Sequence, residues 1–138
     1  FTVFPNLKGY FETSKNFGID NLYIKGLSPT NRVRFFEHPQ DDQEKAAIGR
    51  ESMNYPIQEA CASIVKVALV NLRKLIIKHN YPVKLHLPVH DEILASAHKD
   101  FADQWKIIQD REMRKAADLF LEEGLLGTDT TILDKWTK

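Results

Sequence analysis

With 138 residues, 43% of them hydrophobic and 28% charged, the chain has the length and composition of one domain with one sizeable core. It holds no run of about 20 apolar residues, which excludes a membrane-spanning helix. Its one cysteine, Cys61, excludes an internal disulfide and predicts a reducing, cytoplasmic setting. Nineteen basic and nineteen acidic residues cancel, so no bulk charge draws in nucleic acid, and such a partner has to be read from a local site. The start on Phe1, with neither an initiator Met nor a signal-peptide pattern, predicts a processed, trimmed or subcloned piece.

A short helix is predicted first, with Phe4, Leu7, Tyr10 and Phe11 at helical spacing, Pro5 near its start and Gly18 as its cap. Asn21–Lys25 and Arg32–Phe36 read as two strands joined by the turn formers Gly26–Asn31, hence a hairpin. His38–Glu44 is polar and predicted to be an exposed, mobile loop. The strongest helix is expected from Pro56 to His79, with Ile57, Cys61, Ile64, Ala68, Leu72, Leu75 and Ile76 on one apolar stripe. Pro56 suits its first turn, and Asn80-Tyr81-Pro82 ends it. Cys61 falls on that stripe as core packing rather than as a nucleophile.

Val83, Leu85, Leu87 and Val89 alternate with polar or small residues, the pattern of a half-buried strand, and Ile93–Ala97 returns. His90-Asp91-Glu92 therefore sits at the turn of a second hairpin. A last helix is predicted from Lys99 to Glu123, with an inner stripe of Phe101, Trp105, Ile108, Ala116 and Phe120 that Glu112 interrupts. Gly124 and Gly127 close it, and Thr130–Leu133 reads as a short closing strand before Trp136. Hairpins with long helices on one face make an α+β fold with an antiparallel sheet. It divides into a helix and hairpin at 1–45 and the remainder at 46–138.

Two constellations carry chemistry. Asp91 and Glu92 are adjacent carboxylates at a tight turn beside His90, hard oxygen donors suited to Mg²⁺ or Mn²⁺. By itself this is equally an ordinary polar turn. His86 and His90 with Asp91 imitate a zinc site, but a zinc enzyme brings three convergent ligands, and His86 reads better as a neutral surface residue. Upstream, Arg50, Asn54 and Gln58 recur every four residues and share one face if helical geometry reaches back to Arg50. A guanidinium fork suits phosphate, and the two amides suit sugar or base edges. The alternative is a plain solvent face.

The two segments together resemble family A (polymerase I-like) DNA polymerases. That family has Arg-x-x-x-Asn-x-Pro-x-Gln opening a long palm helix, then a hairpin carrying His-Asp-Glu. Arg50, Asn54, Pro56 and Gln58, followed by Ile64-Val65-Lys66 and then Val89-His90-Asp91-Glu92, reproduce this order. Phe4-Pro5, Thr30–Arg34 and Asp134-Lys135-Trp136 resemble flanking features of the same family, so the similarity covers essentially the whole chain. The chain departs from the pattern at Glu59 and Ser63, where Gly and Asp are usual, at Pro88, usually Gln, and at Asn31-Arg32, usually Gly-Arg. Glu59 is expected to oppose phosphate contact near Gln58. Lys15–Gly18 imitates the family's fingers helix but lies on the wrong side of Phe4-Pro5.

The resemblance implies a palm-type sheet and a part of a template-directed DNA polymerase, with deoxynucleoside triphosphates and primer–template DNA as partners. It makes Asp91 a metal-binding catalytic aspartate and Glu92 a supporting catalytic carboxylate. Arg50, Asn54, Gln58 and His90 become DNA contacts, and Mg²⁺ or Mn²⁺ the cofactor. An Asp-Tyr-Ser-type strand and a Lys-bearing fingers helix are not among these residues. The chain alone is therefore expected to be inactive, its remaining catalytic groups supplied by an N-terminal segment or a separate subunit. Two other readings remain open: a non-catalytic DNA-binding or assembly module on a palm scaffold, and a metal-dependent phosphohydrolase using His90, Asp91 and Glu92.

Overall fold

The computed structural model describes residues 4–135. The chain divides into two compact units, residues 1–60 and 61–138, and the architecture is mixed: three α-helices and two separate two-stranded antiparallel sheets among the described residues. This is the α+β class that the hairpins predicted.

In the first unit, α1 (Pro5–Asn21) begins on Pro5, whose missing N–H has no helical acceptor to lose. The helix does not stop at Gly18. It runs on to Asn21, and Leu22 takes the left-handed cap position (φ 58°), donating its N–H to the carbonyl of Gly18 at 3.0 Å. Gly18 is instead a packing glycine, because a Cβ there would collide with the Ser52 hydroxyl of the next helix. Tyr10 adds a hydrogen bond from its hydroxyl to the Met53 carbonyl at 3.1 Å. β1 (Tyr23–Lys25) and β2 (Val33–Phe35) form the predicted first hairpin, with Tyr23 opposite Phe35.

The long helix α2 spans Asp42–His79, 38 residues rather than the expected 24 or so from Pro56. Its start lies inside the segment read as a polar loop. The Asp41 carboxylate accepts the Glu44 N–H at 2.8 Å, and the Glu44 carboxylate reaches back to the Gln40 N–H at 2.7 Å. That is a variant of the capping box, with Glu44 reaching the residue before the cap, and it leaves only His38–Asp41 of the expected exposed loop outside the helix. Pro56 is consequently inside the helix, where it cannot donate to the carbonyl of Ser52.

The second unit is built on β3 (Val83–Val89), β4 (Glu92–Ala97), a single 3₁₀ turn (Lys99–Phe101) and α3 (Ala102–Ala117). Its core joins Ile64, Val65, Ala68 and Leu72 of α2 to Ile93 of β4 and to Trp105, Ile108, Ala116 and Ala117 of α3. Tyr81, just past α2, packs on Phe101 and Trp105 with ring centroids 4.9 and 6.4 Å apart. The apolar stripe of α2 is thus buried at Ile64, Ala68 and Leu72 and half-buried at Leu75 and Ile76, whereas Ile57 and Cys61 at its start are exposed. Cys61 is not a core residue.

Two expectations for the C-terminal part change. α3 ends at Ala117, not Glu123, and residues 128–133 form no strand. Thr128 and Thr130 instead tie the extended tail to α3: Arg114 Nε donates to Thr128 Oγ1 at 3.1 Å, and Thr130 Oγ1 donates to the Asp110 carboxylate at 2.5 Å. Side-chain bonds to a helix replace the strand partner that the tail lacks. Glu112, which broke the inner stripe, is buried and paired with Arg111 at 3.0 Å and Lys115 at 3.2 Å, so its charge is compensated where it sits. Trp136 lies outside the described residues.

Candidate functional site

Asp91 occupies the place the alternating pattern gave it. β3 and β4 pair from Val83↔Ala97 to Val89↔Glu92, leaving His90 and Asp91 as a two-residue turn. His90 has φ 55°, a left-handed conformation that is uncommon for a residue with a side chain, though His adopts it more readily than most. His90, Asp91 and Glu92 are all exposed. Among the described residues neither carboxylate takes part in an ion pair, and no group of three or more potential metal ligands forms. The turn offers two hard oxygen donors. That number matches what Mg²⁺ takes from protein when phosphates and water complete its shell.

The strand leading to the turn is not regular. The register shifts between Leu85 and Leu87, which makes His86 the extra residue of a β-bulge. Val83 and Leu85 pack on the core before it, whereas Leu87 beyond it is 49% exposed. The bulge reverses the parity of the strand, so Leu87 and Val89 leave the core-facing row in which simple alternation had put them. His86 is exposed, within hydrogen-bonding distance of the Ser96 hydroxyl at 2.9 Å, and so takes the surface role expected of it rather than a metal-binding one.

A polar relay from the core supports the turn. In a two-residue hairpin the flanking pair Val89–Glu92 exchanges backbone hydrogen bonds, so the next pair, Pro88–Ile93, points its polar groups outward. Pro88 is tolerated there because no N–H is required. The Ile93 carbonyl receives the Gln109 side-chain amide at 3.1 Å, and the oxygen of Gln109 accepts the Trp105 indole N–H at 2.9 Å. Gln109 was not singled out from the sequence. The available signal was its position four residues after Trp105, on the inner face of α3. Gln109→Leu should leave the Ile93 carbonyl and the indole N–H unsatisfied and cost about 1–3 kcal/mol. The expected measurement is a lower urea midpoint at unchanged m-value.

In the first unit, helical geometry does reach back to Arg50. Four residues advance a helix by about one turn plus 40°, so Arg50, Asn54 and Gln58 rise along one side of α2 over roughly 12 Å. All three are exposed, with Ile57 between them. The opposite side is closed, with Ile48, Ser52, Pro56 and Glu59 buried. Glu59 therefore does not confront a ligand lying against Gln58. It is 7% exposed, and the Thr30 hydroxyl donates to its carboxylate at 3.1 Å. The Arg50 group belongs to the first unit and the His90–Glu92 turn to the second.

Comparison with known proteins gives a consistent result. The sequence profile described as DNA polymerase family A matches residues 1–138. DNA polymerase I of Chloroflexus aurantiacus is 32% identical over 100 residues, covering 72% of this chain and 10% of that protein. DNA polymerase I of Caldicellulosiruptor bescii is 31% identical over 121 residues, covering 86% of this chain and 14% of that protein. The chain thus spans only about one-tenth to one-seventh of the length of these relatives. Among solved structures, the POL domain of Pol1 from M. smegmatis, in complex with DNA primer-template and dNTP, superposes with a TM-score of 0.72 at 23% identity, over 79% of this chain and 19% of that one. That likeness establishes the fold as part of a polymerase domain. Since the family profile extends over every residue, the chain belongs to DNA polymerase family A.

Proposed function

We propose that these 138 residues form the part of a template-directed DNA polymerase that supplies one metal-binding aspartate and a set of primer–template contacts. The observation that carries the reading is the two-residue turn of β3 and β4, which presents Asp91 and Glu92 to solvent from a hairpin anchored in the core. Family membership supports assigning metal chemistry to that turn. The Pol1 domain from M. smegmatis holds primer-template DNA and dNTP, and the same two classes of partner are proposed here.

Asp91 is the primary ligand of a divalent cation, Mg²⁺ or Mn²⁺, and Glu92 is a neighbouring carboxylate for it. Such an ion, when bound, offsets the charge of the phosphate oxygens undergoing nucleotidyl transfer. Asp91 and Glu92 hold their oxygens at a fixed turn, so little reorganisation is needed when substrate arrives. His90, exposed and in a left-handed conformation at the turn, is assigned to the primer end. Arg50 takes a backbone phosphate through its guanidinium fork, while Asn54 and Gln58 take sugar or base edges.

Two carboxylates at one turn are a half-site. The second aspartate and the fingers lysine that the family uses come from sequence outside these residues. The purified 138-residue chain should accordingly show no primer extension with Mg²⁺ and only weak, salt-sensitive DNA binding, since its net charge is zero. Extension should appear when a polypeptide bearing the other two elements is supplied. Robust extension by the chain alone would overturn the half-site, and metal-dependent phosphate-ester hydrolysis without extension would favour a phosphohydrolase.

A further inference from the structure

Glu59 has no place in the nucleotidyl-transfer site, yet it is a buried carboxylate one residue from Gln58. Its surroundings are specific. The Thr30 hydroxyl donates to Oε1 at 3.1 Å. Gly26 lies so close that a Cβ there would overlap the Glu59 carboxylate. Gly26 begins the turn between β1 and β2, and Thr30 lies within it. That turn is closed by the Gly26 N–H on the Arg32 carbonyl at 2.7 Å and by the Asn31 N–H on the Leu27 carbonyl at 3.0 Å. Asn31 holds φ 47° inside it.

Eight residues earlier on the same helix, Glu51 accepts from Arg34 Nε at 2.7 Å. α2 therefore grips the hairpin at two points, about 12 Å apart along its axis. The Glu51 contact is half exposed and screened by solvent. The Glu59 contact is buried and is shaped by the absence of a side chain at Gly26.

We propose that Glu59 is a positioning residue: its carboxylate, seated on Gly26 and bonded by Thr30, latches the 26–32 turn to α2 and so holds Arg32 ready for a nucleic-acid phosphate. Gly26 is glycine because Glu59 occupies the space of its side chain, so the two positions form a coupled pair. The departure from the family's Gly at 59 is then matched within this chain. The role given to Arg32 rests on the proposed DNA-binding function, whereas the latch itself does not.

The test uses the whole chain together with the polypeptide that completes the polymerase, and it reads two quantities separately. Amide hydrogen exchange at Gly26 and Asn31 reports the latch, and primer–template affinity reports the use made of it. Glu59→Gln keeps the volume and a neutral acceptor for Thr30, so both readings should move much less than in Glu59→Gly. Glu59→Gly should speed exchange at the two amides about tenfold or more, the loss expected for one charge-assisted hydrogen bond. Exchange in α3 should not change. The same variant should weaken DNA about tenfold, and Arg32→Ala added to it should cost little more. Gly26→Ala should disrupt the turn in the parent but be tolerated beside Glu59→Gly.

Unchanged exchange in Glu59→Gly, or equal damage from Gly26→Ala in both backgrounds, would overturn the latch. Altered exchange with unaltered DNA affinity would retain the latch and remove its role in binding. A parent protein that binds no DNA at all would defeat the functional reading and leave the exchange result to decide the latch.

Discussion

Replacing Asp91 by Ala in the completed polymerase is expected to abolish nucleotide addition while leaving primer–template affinity nearly intact. Asp91 is exposed at a two-residue turn, so the substitution removes no core contact and should not unfold the hairpin. Under the proposed assignment, it removes an ionic oxygen that offsets charge building up during transfer. Loss of one such preorganised group elsewhere in catalysis costs about 10²–10³ in rate, and a metal anchor should cost at least that. Arg50→Ala and Gln58→Ala should behave oppositely. Each removes a proposed charge-assisted or bidentate contact from the exposed side of α2 and should weaken DNA by about 1.5–3 kcal/mol. The measurement pairs single-turnover extension at saturating DNA with equilibrium binding of labelled primer–template. Equal losses of affinity from all three substitutions would show that the proposed division of labour is wrong.

Leu72→Ala should damage the fold heavily. Leu72 is 0% exposed and lies in the core that joins α2 to Ile93 and to α3. Truncation removes three carbons from a site with neighbours on all sides, which costs about 2–5 kcal/mol depending on how far the walls relax. Against the marginal stability usual for domains, about 5–15 kcal/mol, this is a large share. Urea unfolding of the purified chain, followed by circular dichroism, should show the midpoint falling sharply. Asp91→Ala in the same assay should leave it within about 0.5 kcal/mol of the parent, as for most surface substitutions. A Leu72→Ala loss under about 1 kcal/mol would mean that the core does not close around this residue.

Local pattern alone determined a good deal of this protein. The alternation from Val83, the return at Ile93 and the polar triplet between them identify a hairpin with Asp91 at its turn, because period-two patterning and turn chemistry act over only a few residues. Pro5, the turn formers Gly26–Asn31 and the stripe from Ile64 to Leu72 are legible for the same reason. The four-residue spacing of Arg50, Asn54 and Gln58 is also legible, and it needed only the extent of the helix to become one face.

Other features were decided by residues far apart in sequence. Pro56 resembled a helix start because proline is favoured there, but the Asp41–Glu44 capping box and the packing of Ser52 against Gly18 carry the helix through it. The bulge at His86 reversed the faces of Leu87 and Val89 through strand register, which no single strand encodes. Gln109 became a support for the site only when α3 came to lie against the free edge of β4. Glu59 looked like a charge set against phosphate because its sequence neighbour is Gln58. One residue along a helix is a rotation of about 100°, and that turns its carboxylate away from the exposed side and onto Gly26 and Thr30. Side-chain type and spacing specify which face a residue can share, but burial depends on what the rest of the chain brings to that face, and only the tertiary structure supplies it.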